Sequence, residues 1–178
     1  MKLEQYVKAI QKNDESAFEA VYHKTRHAVY AMILPIVRDR SLAEDAMQET
    51  YIKMLKYIHS YKKKYKFMNW LLTIAKNTAL DTYRERSKHT YINAQDNPDL
   101  FISKESTVEK RMMGEYYLSF LSKEDQQIVL LRVVAGLKHR DIAAILQMPT
   151  GTVTYRYQKA LNTMKKGSKE GKDHEKQE

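Results

Sequence analysis

Apolar residues in this chain recur at intervals of three and four in two separate blocks, and the stretch between the blocks keeps no period. That pattern constrains the fold most, because a helix gathers residues i, i+3, i+4 and i+7 on one face whereas a strand alternates every second residue. Ala43, Met47, Tyr51, Met54, Leu55 and Ile58 make one such stripe, and Leu71, Ile74, Ala75 and Thr78 make another. Ile128 and Leu131 belong to the second block. A strand-rich alternative needs tight turns, and the chain has only 5 Gly and 3 Pro in 178 residues to supply them. The expected fold class is therefore all-α, with two small helical domains joined by a flexible linker.

The first domain is expected over 1–88. A short helix from Leu3 to Gln11 precedes a longer one, whose start is marked by Ser16 and Glu19 in capping-box spacing and which Pro35 should kink or end. Ser41 and Glu44 repeat that spacing ahead of the stripe that ends at Ile58. A loop rich in Lys and Tyr, SYKKKYKF, leads into a fourth helix from Met68 to Ser87. Residues 89–106 contain Asn-Pro-Asp, a turn signal, and form the expected linker.

The second domain, 107–166, begins with a helix ending near Phe120. Ser122, with Asp125 three residues on, caps the next helix, and Gly136 stops it. A short helix from Lys138 to Leu146 follows, then a turn over Gln147 to Pro149. The final helix, capped by Thr150 and running to Lys166, completes helix-turn-helix spacing. Residues 167–178 hold Gly and charges but no apolar residue, so they are expected to be a disordered tail.

Lys and Arg number 31 against 22 Asp and Glu, a net charge of +9 that suits polyanionic partners. With no Cys, disulfides and thiolate metal sites are excluded. No segment approaches the roughly 20 apolar residues needed to span a bilayer, and the first residues are too polar for a secretory signal, so the chain reads as cytoplasmic. An enzymatic reading would use Glu44, Asp45 and Glu49 as metal ligands with His23 and His27. It fails for want of a His-Glu-x-x-His pair, a phosphate-cradling Gly-rich loop or an activated nucleophile. No catalytic residue, cofactor, metal or small-molecule substrate is expected.

On the final helix Val153, Tyr157, Ala160, Leu161 and Met164 share one sector, while Thr152, Tyr155, Lys159 and Asn162 lie opposite with Arg156 at the edge. The competing explanation is the solvated side of an amphipathic helix. In a helix-turn-helix unit this helix enters the major groove, where Arg and Lys pair with guanine and Thr touches a thymine methyl. Thr152, Tyr155, Arg156 and Lys159 are the candidate readers.

The segment LLRVVAGLKHRDIAAILQMPTGTVTYRYQKAL resembles region four of RNA polymerase sigma factors, and SLAEDAMQETYIKMLKYI with MNWLLTIAKNTALDTYRER resembles region two. Two motif blocks in this order, with no middle domain between them, resemble the extracytoplasmic-function (ECF) group of the sigma-70 family. The resemblance implies that region two binds core RNA polymerase through the third helix, where Asp45, Gln48, Glu49 and Ile52 lie together opposite the core stripe. It implies opening of a promoter minus-ten element by the loop Tyr61, Lys62, Lys63, Lys64, Tyr65, Lys66, Phe67, Met68 and Asn69, aromatic rings beside positive charge suiting an unstacked base. Lys76, Asn77 and Arg84, with Leu80, share a side of the fourth helix that could follow the DNA. Trp70 reads as core.

Region four would read the minus-thirty-five element. Here Thr154-Tyr155-Arg156 replaces the more usual Lys-Ser-Arg, so the promoter sequence does not carry over. The partners implied are core RNA polymerase, promoter DNA and an anti-sigma factor, membrane-anchored or not. The runner-up is a helix-turn-helix regulator acting without core polymerase, which leaves residues 41 to 88 without a use.

Overall fold

The computed structural model describes residues 3–63, 66–89, 114 and 116–174. Among them there is no strand, and the helices are α1 (Leu3–Ile10), α2 (Glu15–Val37), α3 (Arg40–Tyr57), a 3₁₀ turn (Ile58–Ser60), α4 (Phe67–His89), α5 (Lys123–Val133), α6 (His139–Leu146) and α7 (Thr150–His174), with residues 116–119 also helical ahead of α5. The all-α expectation holds. Of the expected linker, 89–106, His89 is the last residue of α4, and 90–106 lie outside the described residues, as do 107–113, 115 and 175–178.

The first domain is a bundle in which α2 packs against α1, α3 and α4. Val21, Val29, Met32, Ile33 and Leu34 of α2 meet Met54, Leu71 and Leu72 with no exposed surface. Each such side chain contributes about 1.5 to 3 kcal/mol of burial, which makes α2 the axis of the domain. One polar link crosses this core: the hydroxyls of Thr25 and Tyr51 lie 2.8 Å apart, while Thr25 also donates to the Val21 carbonyl at 2.7 Å. Burial pushes the Tyr51 phenol well above its usual range, so it stays protonated and bonded. Leu55, expected in the α3 stripe, is instead 41% exposed; Ala46 and Thr50 are buried on the core side.

Both helix starts in this domain lie earlier than the Ser-x-x-Glu spacings indicated. Asp14 caps α2, accepting from the Ala17 N–H at 3.1 Å, and Asp39 caps α3, accepting from Leu42 N–H at 3.0 Å. A carboxylate at this position both accepts the free N–H and meets the positive end of the helix dipole. Ser16 is left to donate to Asp14 at 2.7 Å. Pro35 does not end α2: only the last two residues follow it, and Arg38, in the left-handed region at φ 55°, closes the helix by donating its N–H to Leu34 O. A proline this close to the C-terminus removes a single ladder bond.

The second domain is the expected helix-turn-helix. Ser122 caps α5 by accepting from Asp125 N–H, Gly136 turns the chain at φ 64°, and Gln147 closes α6 in the left-handed region at φ 58°. Thr150 is the first helical residue of α7 rather than its cap, since Val153 N–H already donates to Pro149 O at 3.1 Å. The helix also continues past Lys166 to His174. Gly167 is buried there against the ring of Phe120, an approach that a Cβ would bring to 2.7 Å. Residues 167–174 are therefore helix rather than the disordered tail expected.

The two domains touch. α2 packs on α5, and α4 on α6. Gln127 of α5, itself buried, donates its amide N–H to the Met32 carbonyl of α2 at 3.2 Å.

Candidate nucleic-acid interface

The final helix presents the sector the sequence indicated. Val153 and Ala160 are buried against α5 and α6, whereas Thr152, Lys159 and Asn162 are exposed and Tyr155 is 67% exposed. Arg156 departs from the expectation. Its Nε donates to Asp125 Oδ1 at 2.6 Å, one terminal nitrogen reaches the Ser122 hydroxyl at 3.3 Å, and Glu124 lies at 3.6 Å. The guanidinium braces α7 against the start of α5, so it is held by protein partners where Thr152 and Tyr155 are exposed. Sequence could not show this, because the partners sit 31 and 34 residues away on another element.

A second brace was also missed. His139 Nδ1 lies 3.0 Å from Thr154 Oγ1, whose hydroxyl donates to Thr150 O, so the imidazole supplies the N–H. Its ring also rests against Tyr157 at 5.1 Å. The first helix of the motif thereby fixes the rotation of the last.

On α3, Asp45, Gln48, Glu49 and Ile52 are all exposed, while Ala43, Ala46, Thr50 and Met54 face the core. Ile52, at 60% exposure, is the apolar centre of this face; Glu49 is paired with Lys53 at 3.6 Å. The carboxylates around this apolar side chain give the face a negative charge complementary to a basic surface.

The loop after α3 leaves from the 3₁₀ turn, whose Ile58 carbonyl accepts from Gln11, just past the end of α1, at 3.0 Å. Tyr61, half-buried, stacks near Phe67 and Trp70 with ring centroids 5.5 and 5.4 Å away. Burial, then the nearby charge of Glu4, raises its phenol above the usual value. Lys62, Lys63 and Lys66 are exposed; Met68 and Asn69 are partly so. Lys64 and Tyr65 lie outside the described residues. Phe67 is corrected from candidate DNA contact to core: it is fully buried, because the first turn of α4 drives its ring under Tyr61 and Trp70. Trp70 packs partly buried against the core, as read.

The shared side of α4 is divided. Asn77 and Arg84 are exposed, the latter 3.4 Å from Asp81. Lys76 turns toward the second domain and reaches Ile145 O at 3.5 Å, lining with Pro35, Leu80, Tyr83 and Gln127 a crevice of about 220 Å³. Lys66 is likewise engaged, with Asp141 of α6 at 2.8 and 2.9 Å. Among the described residues no three His, Asp or Glu side chains gather as metal ligands, and His23 pairs only loosely with Glu19 at 3.6 Å. Among these residues, too, no helix is long and apolar enough to cross a membrane.

Comparison with known proteins matches residues 21–89 to the family Sigma-70 region 2 and residues 117–164 to Sigma-70, region 4. The RNA polymerase sigma-H factor of Pseudomonas aeruginosa is 27% identical over 177 residues, covering 92% of each chain. The ECF RNA polymerase sigma factor SigX of Bacillus subtilis is 25% identical over 162 residues, 85% of this chain and 84% of its own. Among solved structures, the sigma factor RpoE in complex with the anti-sigma factor NepR from Bartonella quintana superposes with a TM-score of 0.67 at 22% identity, over 85% of this chain and 96% of that one.

Proposed function

Because the chain belongs to the ECF group of the sigma-70 family of RNA polymerase sigma factors, we propose that it directs core polymerase to promoters through three separate surfaces. The first is the α3 face of Asp45, Gln48, Glu49 and Ile52, which binds core polymerase. The second opens the minus-ten element: Tyr61, Lys62, Lys63, Lys64, Tyr65, Lys66, Met68 and Asn69 hold an unstacked base and its backbone, and Lys76, Asn77 and Arg84 follow the strand. The third is α7, whose Thr152, Tyr155 and Lys159 read the minus-thirty-five element in the major groove. In this division 1–88 serves core and minus-ten binding, 89–106 links, and 107–166 serves the upstream element. The protein acts in the bacterial cytoplasm and is itself held in check by an anti-sigma partner.

The observation that carries the reading is Ile52, a large apolar side chain 60% exposed among carboxylates on a helix whose other side is core. Leu55, three residues on and 41% exposed, extends the apolar area, and the surrounding carboxylates suit a protein surface with basic residues rather than a phosphate backbone. The test is run-off transcription with bacterial core polymerase and host promoter fragments. Wild type should yield specific transcripts, Ile52→Glu should lose core binding and transcript together, and Tyr155→Ala should keep core binding while losing upstream-element dependence. Specific duplex binding with no core binding would establish instead a helix-turn-helix regulator acting alone.

A further inference from the structure

The last helix is held at both edges of its buried stripe. At about 100° per residue, Val153 and Ala160 lie toward the core, Arg156 flanks them on one side and Thr154 on the other, and Thr152, Tyr155 and Lys159 face away between the two. Arg156 ties the first edge to α5 through Asp125 at 2.6 Å. His139 ties the second edge to α6, its Nδ1 lying 3.0 Å from Thr154 Oγ1 across 15 residues of sequence.

The second tie has a fixed foot and a defined direction. His139 opens α6, whose Ile142, Ile145 and Leu146 are buried and whose Asp141 is held by Lys66 at 2.8 Å. Thr154 gives its hydroxyl proton to Thr150 O, so toward the ring it accepts. The other ring nitrogen, Nε2, is buried without a partner among the described residues, and a proton there would be a donor with nothing to receive it. The N–H therefore sits at Nδ1, while the Tyr157 ring of α7 packs 5.1 Å from the imidazole.

We propose that His139 is a specificity-determining positioning residue that touches no base: through Thr154 it sets the roll of α7 at which Thr152, Tyr155 and Lys159 meet the major groove. The proposal rests on the reading of α7 as the upstream-element helix. Side chains reach about 5 to 6 Å from a helix axis, so a roll of about 20° moves their tips by about 2 Å. A hydrogen bond to a base edge spans only about 2.7 to 3.2 Å, and such a roll breaks it. Contacts to phosphate, which carry no sequence information, tolerate the movement through long, flexible cations. Loss of the tie thus removes sequence preference and leaves general affinity for DNA.

The test uses the full chain assembled with bacterial core polymerase. It is titrated with a host promoter duplex and with the same duplex scrambled over its upstream element, and the ratio of the two affinities is read. Circular dichroism first fixes a temperature below the onset of melting for every variant. His139→Ala and Thr154→Val, the second keeping the shape of the side chain without its acceptor, should each lower the ratio about ten-fold and change affinity for the scrambled duplex by less than about two-fold. The double variant should fall no further than either single one, since both remove the same bond. His139→Asn, whose amide N–H stands near the place of the Nδ1 proton, should recover most of the ratio. A ratio unchanged in both single variants overturns the positioning role, as does a double variant that loses the product of the two, or an Asn variant no better than Ala. Tyr155→Ala separates that failure from failure of the underlying reading. If it lowers the ratio where His139→Ala does not, α7 reads DNA and His139 only packs; if it too leaves the ratio intact, the reading of α7 falls and the proposal with it.

Discussion

Replacing Arg156 by Ala should destabilise the protein before it alters any base preference. The side chain is 28% exposed and its partner Asp125 15%, with Nε to Oδ1 at 2.6 Å. A pair left fully in solvent contributes less than about 1 kcal/mol, whereas breaking a fully buried one costs about 3 to 5 kcal/mol. This pair stands between those limits, and a charge-assisted hydrogen bond of about 1.5 to 3 kcal/mol fits its burial. Asp125 lies in the first turn of α5, and the dipole there partly stabilises a carboxylate that has lost its partner. A loss of about 2 kcal/mol is therefore expected. Urea unfolding of Arg156→Ala, Asp125→Ala and the double variant should give a coupling of about 1 to 2 kcal/mol between the sites. Arg156→Lys should recover less than half, because an ammonium cannot span Asp125 and Ser122 as the fork does. Stability unchanged within about 0.5 kcal/mol, with recognition lost at a single base pair, would refute the brace and return Arg156 to the groove.

Gly167→Ala should lower the melting temperature in the parent yet raise it in a Phe120→Ala background, since the ring at 2.7 Å opposes a helix-propensity gain of about 1 kcal/mol. Gln147→Gly should stabilise by about 0.5 to 1 kcal/mol in thermal unfolding, because φ 58° strains a side chain and not a glycine. The Ser16 hydroxyl, then the Ala17 N–H, holds the Asp14 carboxyl below its ordinary value of 3.8. A depressed folded value means stability that is present above pH 3.8 and lost as pH falls through the lower native value. The stability difference between parent and Asp14→Asn should accordingly shrink over that acid range, followed by denaturant titration at each pH.

Elements with strong local periodicity were legible from the chain alone. The α3 and α4 stripes, the capped α5, the turn at Gly136 and the exposed sector of α7 all follow from spacing, because helix geometry converts spacing directly into faces. The caps of α2 and α3 were displaced because two acceptors compete near each start. Ser16 and Ser41 satisfy the motif, yet Asp14 and Asp39 carry charge as well as an acceptor and sit where the free N–H groups point. Residue type was a sound guide to Lys66, Lys76 and Arg156 as cations, but not to what holds them. Asp141, Ile145 and Asp125 meet them only through tertiary packing, at separations of 75, 69 and 31 residues. Phe67 misled for the opposite reason: an aromatic beside lysines looks like a stacking platform until the first turn of α4 shows which way it points.

The bond from Gln11 to the carbonyl of Ile58 joins residues 47 apart. The family match begins at residue 21, yet Val7 and Ile10 of α1 are buried in the core that α2 builds, so the residues ahead of the match are part of the bundle. Gln11 directly follows α1 and ties the end of that helix to the turn from which the Lys- and Tyr-rich loop departs. A shift of α1 on α2 is thus handed to the base of the loop through that hydrogen bond.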